Sequence, residues 1–183
     1  MKKLLILSFV LLFVSNVVNS QVFGTSSTLK EKKFSLGLEP GFLMSNGNDD
    51  FMFFIHGGYG LKSNIDLGVK LGVFGDQNYL GADVEFVLGK RFSLAGGFHD
   101  FYDFGIDGTA LLTFPLSSSA RLTTGLDMDI VMADPETIIP LWIPCAIEVG
   151  IKKGMVFILE ANIDTKLIDE SYSFIGGGVQ FYF

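Results

Sequence analysis

The stretch 172-YSFIGGGVQFYF-183 decides the fold. Counted back from its last residue, Phe183, Phe181, Val179, Gly177 and Ile175 share one parity, while Tyr182, Gln180, Gly178 and Gly176 share the other. Successive side chains of a strand point to opposite faces, so this segment predicts a β-strand with one apolar face.

The same alternation runs back along the chain. Residues 65–74 carry it most cleanly, with Ile65, Leu67, Val69, Leu71 and Val73 opposing Asp66, Gly68, Lys70 and Gly72. No soluble helix has that period. Similar segments are expected at 34–44, 51–61, 79–89, 92–98, 104–114, 120–130, 141–151 and 155–163. Together with 172–183 they make ten strands, all but the weaker 92–98 of about 9–12 residues, the length a tilted strand needs to cross a bilayer. Eight is the alternative count, should 92–98 and 104–114 be irregular. Pro40, Pro140 and Pro144 withdraw ladder donors and predict irregular pairing around them.

Composition agrees. Gly (22) and Phe (19) are abundant in the 183 residues and Pro is held to 5, which suits many strands joined by tight turns. The formal charge of −7, with no basic patch to displace counterions, disfavours nucleic acid as a partner. Lys2 and Lys3 precede the largely apolar stretch 4–14, and Val18, Asn19 and Ser20 precede Gln21. Residues 1–20 therefore read as a cleaved signal peptide, too short in its apolar part to span a bilayer as a helix. Residues 21–33 read as a loose polar lead-in and 34–183 as the barrel domain. Cys145 stands alone, so neither an internal disulfide nor a CxxC metal site is expected.

The connections segregate by charge. Alternate short turns hold Lys62, then Lys90 and Arg91, then Lys152 and Lys153. The intervening loops hold Asp49, Asp50, Asp76, Asp100, Asp103, Asp134, Glu136, Asp164, Asp169 and Glu170. An up-and-down meander puts these sets at opposite ends.

The terminal strand, with alternating apolar positions ending on Phe181 and Phe183, resembles the C-terminal assembly signal of small bacterial outer-membrane β-barrels. That resemblance implies a porin-like, closed, up-and-down antiparallel transmembrane β-barrel of a Gram-negative cell envelope. It also implies outer-membrane lipid and lipopolysaccharide as surroundings, and the barrel assembly machinery as a partner in folding. Short turns and both termini would lie on the periplasmic side.

Alternation by itself also fits a soluble lipocalin-like barrel. Two features favour the membrane form. The polar parity is rich in Gly, Ser, Thr and isolated carboxylates, and the apolar faces of the clear strands carry no charge. Placing the polar parity inward predicts a lumen lined by Glu39, His56, Asp66, Lys70, Asp83, Glu85, Asp107, Arg121, Asp127, Asp129, Glu148 and Glu160. A ring of acids attracts cations, so a narrow conduit is one functional reading. A non-enzymatic structural or surface-exposed barrel, its interior closed by salt bridges, is the first reading.

Catalysis finds no constellation. His99 is placed in an outer loop beside Asp100, and adjacent strand residues point opposite ways. His56 reads as a hydrogen-bonded lumen residue. No metal ligand set or cofactor motif is evident. Phe34, Tyr59, Tyr79, Phe104, Phe114, Trp142, Tyr172 and Tyr182 are expected to form aromatic girdles at the membrane interfaces.

Overall fold

A computed structural model of the chain describes residues 29–45, 48–165 and 172–183. The expected signal peptide lies outside the described residues, as do the acidic loop positions Asp169 and Glu170. The elements are β1 (Phe34–Ser45), β2 (Asn48–Lys62), β3 (Ile65–Val73), β4 (Tyr79–Val87), β5 (Phe92–Phe101) and β6 (Asp103–Pro115). They continue with β7 (Ala120–Met132), β8 (Thr137–Ile138), β9 (Leu141–Lys152), β10 (Met155–Asp164) and β11 (Ser173–Tyr182). No helix occurs among them.

Each long strand pairs antiparallel with its neighbours in the chain, and β8 is a two-residue addition to the end of β7. β7 then pairs with β9. The first and last strands meet, with Leu36 opposite Phe181, Leu38 opposite Val179 and Phe42 opposite Ile175. This contact closes a ten-strand antiparallel barrel and leaves no sheet edge, the condition for crossing a bilayer with strands. Pro40 interrupts the β1–β11 ladder between Leu38 and Gly41 without shifting its register. Pro144 leaves a similar gap between β7 and β9, between Thr124–Cys145 and Asp127–Trp142. Each proline lacks the N–H that a ladder requires.

The burial pattern is inverted relative to a soluble domain. Val69, in the middle of β3, is 50% exposed, while its neighbours Gly68 and Asp66 point inward and Asp66 keeps only 3%. Leu80, Phe98, Ile106, Leu126 and Leu159 are exposed in the same way on other strands. Such a continuous apolar wall far exceeds the patches a protein presents to water. It is the lipid-facing band of a transmembrane barrel.

The end that holds the barrel's own start and finish is the near end. Its turns carry Lys62, Lys90, Arg91, Lys152 and Lys153. Asp50, Asp76, Asp103, Asp134 and Glu136 gather at the far end. The β9–β10 turn needs only Lys153 and Gly154, because Lys152 pairs with Met155. Gly154 sits there at φ 75°, a left-handed conformation that glycine takes without a Cβ clash.

The lead-in differs from expectation. Leu29 is completely buried and packs with Ala146, Val156, Ile158 and Tyr182 inside the near end. Its backbone N–H donates to a carboxylate oxygen of Asp66. The Lys32 N–H donates to the Gly60 carbonyl at 2.7 Å, and the Gly60 N–H to the Lys33 carbonyl at 2.9 Å. A side chain at Gly60 would collide with Leu29 and Lys30. Residues 29–33 are therefore a strap seated in the mouth, held because one leucine finds an apolar pocket there.

A second apolar cluster fills the far half, made of Leu43, Met52, Phe54, Phe101 and Phe174. The Phe174 ring lies over the paired glycines Gly41 and Gly176 and meets the Phe54 ring edge-on at 5.4 Å. Gly41→Val would thrust its branches into that ring. The variant is expected to lose about 1–3 kcal/mol by overpacking, measured as a lower urea midpoint for the refolded barrel.

Candidate functional site

All the residues that the sequence assigns to the lumen lie on the inward parity, and they form three tiers. At the near end the Arg121 guanidinium pairs with Glu148, its register partner across β7 and β9. The Thr113 and Thr123 hydroxyls share a hydrogen bond of 2.6 Å beside them. Glu85 is buried in the same tier. The strand period turns these groups inward, and the β6–β7 and β7–β9 registers set Thr113 beside Thr123 and Arg121 beside Glu148.

The middle tier is a charge network. His56 Nε2 stands 2.8 Å from Glu39 Oε2, and both side chains are wholly buried. Lys70 Nζ lies 3.9 Å from Glu39 Oε2 and 3.9 Å from Glu160 Oε1. The same ammonium sits 4.2 Å from the centre of the Phe54 ring, a cation–π contact. Buried carboxylates need such compensation. Asp83 lies beside this tier, and its carboxylate occupies the space that Gly68 leaves open across the β3–β4 ladder.

The outer tier surrounds a cavity of about 130 Å³. Tyr79, Phe101, Trp142 and Tyr172 form its aromatic wall, and Asp107, Asp127 and Asp129 supply the carboxylates. Lys70 marks its floor. His99 Nδ1 is 3.8 Å from Asp107 Oδ1 and its Nε2 is 3.6 Å from Asp129 Oδ2. Its ring stacks on Tyr79 at 5.7 Å and 16°. Gly105, the register partner of His99, leaves the room in which the imidazole lies. Thr109 Oγ1 donates to Asp127 Oδ1 at 2.6 Å, and Trp142 Nε1–H donates to the Tyr172 carbonyl at 2.8 Å. Asp107 keeps 20% of its side chain exposed, so solvent reaches the cavity.

Two expectations are corrected here. His99 is not in an outer loop: β5 continues to Phe101, and His99 points inward and is buried. The strand period, carried three residues further, predicts this. Nor do all the expected girdle aromatics face lipid. Phe34, Phe104 and Phe114 are exposed and Tyr59 packs on Phe34 at 4.8 Å, but Trp142 and Tyr182 are buried inside. Tyr79 and Tyr172 pack against the interior cluster of Phe54 and Phe101. Trp142 shares the parity of Glu148, and Tyr182 that of Gln180; that was the available signal.

No family model matches the chain, and no curated protein matches it. Solved structures do. A de novo designed transmembrane β-barrel aligns over 84% of this chain and 98% of its own, at 10% identity and a TM-score of 0.47. The N-terminal β-barrel domain of Pseudomonas aeruginosa OprF aligns over 84% and 98%, at 12% identity and a TM-score of 0.43. Ail, the attachment invasion locus protein of Yersinia pestis, aligns over 84% and 99%, at 12% identity and a TM-score of 0.34. Likenesses this loose concern general shape, and the membrane character of the barrel rests on its own inverted surface.

Proposed function

We propose that the chain is a non-enzymatic outer-membrane β-barrel that presents its acidic far end to the outside and keeps its lumen closed to conduction. The exposed rows of Leu, Val, Ile and Phe, set against buried carboxylates, carry this reading. A closed barrel with an apolar wall has lipid as its natural solvent. The basic near-end turns suit the periplasmic side, and the far-end acids suit divalent-bridged contact with lipopolysaccharide. The assembly machinery of that membrane would fold the chain by engaging its closing strand, which carries Phe181 and Phe183.

Closure of the lumen follows from what fills it. Leu29 and its apolar neighbours occupy the near end, and the Glu39–His56–Lys70–Glu160 network occupies the middle. An ion crossing the barrel would have to displace both. The conduit reading is therefore the weaker one. A lipocalin-like soluble barrel would need its apolar residues turned inward.

Fractionation of expressing cells tests the reading. The protein is expected in the outer-membrane fraction, with a gel mobility that changes on boiling, and to give no conductance steps in planar bilayers. Recovery from the soluble periplasm would end the membrane assignment. Sustained steps that scale with salt would overturn the closed lumen.

A further inference from the structure

The outer cavity is built to hold something. Its wall is aromatic, its acids are three, and the basic side chains nearby are already engaged. Lys70 is held by Glu39, Glu160 and the Phe54 ring. His99 is shared between Asp107 and Asp129. Asp129 lines the cavity and is only 6% exposed, and its Oδ1, itself buried, accepts no hydrogen bond from the described residues. A buried carboxylate oxygen left unpaired costs free energy that a donor would recover.

From this geometry we infer that the cavity is a binding site for a small organic cation bearing N–H donors on a flat or apolar body, an aryl amine or amidine in chemical class. Three observations narrow the class. A volume of about 130 Å³ is close to that of cavities that take a benzene-sized guest. Tyr79, Trp142 and Tyr172 line it with aromatic surface, against which a cationic, planar group packs favourably. The carboxylates of Asp107, Asp127 and Asp129 can only accept hydrogen bonds, which a quaternary ammonium cannot donate. Among the described residues no three His, Cys, Asp or Glu side chains converge as a metal-ligand set, so the aromatic lining is what narrows the guest. The acidic far end would raise the local concentration of any such cation. Binding requires no conduction through the barrel.

Trp142 is the only tryptophan of the chain and lies in the cavity wall, so the site carries its own reporter. The full barrel, refolded in detergent micelles with heat-dependent mobility as the check on folding, is titrated with benzamidine by tryptophan emission and calorimetry. Saturable binding is expected, with benzamide, its neutral isostere, and phenyltrimethylammonium, a cation without N–H donors, each at least about tenfold weaker. Asp129→Asn is expected to weaken benzamidine by about tenfold or more. Absence of saturation would overturn the site. Equal binding of benzamide would overturn its charge recognition, and equal binding of phenyltrimethylammonium its donor requirement. An unaltered affinity in folded Asp129→Asn would do the same for Asp129. Should Asp129→Asn not fold, Asp127→Asn and the three-ligand comparison on the unaltered barrel decide, and loss of barrel mobility in the unaltered protein would instead strike the membrane-barrel reading.

Discussion

Lys70→Met is expected to destabilise the barrel by about 3–5 kcal/mol, the range for removing one partner from a buried ionic group. The ammonium lies 3.9 Å from both Glu39 and Glu160, and it covers the face of Phe54. Methionine keeps an unbranched apolar stem, one atom shorter, and removes the charge together with the ammonium that lies over the Phe54 ring. Two carboxylates would then share an interior in which His56 is the remaining hydrogen-bond partner of Glu39. Urea unfolding of the refolded protein in detergent measures the loss. Glu160→Gln added to Lys70→Met should return a substantial part of it, because the double variant leaves one acid to His56. A single variant within about 1 kcal/mol of the parent, the worth of an ordinary exposed pair, would mean that water already compensates these groups and that the middle of the barrel is wet.

The second large effect lies on the other side of the wall. Val69→Arg places a guanidinium at the middle of β3 on the outward parity, where valine is 50% exposed. In a bilayer that position lies near the midplane, and arginine there costs about 2–4 kcal/mol. Leu61→Arg, at the near end of β2 and 46% exposed, should cost no more than about 1 kcal/mol because the side chain reaches the interface. Equilibrium unfolding from phospholipid vesicles gives both values. The depth dependence is the decisive part: a barrel bathed in water would accept either arginine on an exposed strand face with little change. Equal small effects at the two sites would remove lipid from the account.

The strand layout was legible because both faces of the wall obey one period. In β3, Leu67, Val69 and Leu71 against Asp66, Gly68 and Lys70 fix which side is which, and the segregated turn charges fix which end is which. The acids of the lumen could be named from parity for the same reason. Their partners could not. Nothing local places Lys70 of β3 against Glu160 of β10, since that contact crosses the barrel and depends on its closure. The outer cavity was hidden by a different cause. Tyr79, Trp142 and Tyr172 stand near strand ends, where an aromatic residue serves equally at a lipid interface or inside a mouth, and His99 fell past the last position at which β5 was expected. The strap escaped notice because a single Leu29 among polar residues has no period to read.

That strap carries a consequence for how the molecule is completed. Leu29 rests on Ala146 of β9, Val156 and Ile158 of β10 and Tyr182 of β11, while its amide is held by Asp66 of β3. Those surfaces surround one socket only when the opening and final strands have joined. The segment ahead of β1, synthesised before any strand of the barrel, is thus among the last to find its place, a cork that cannot be fitted before the bottle is blown.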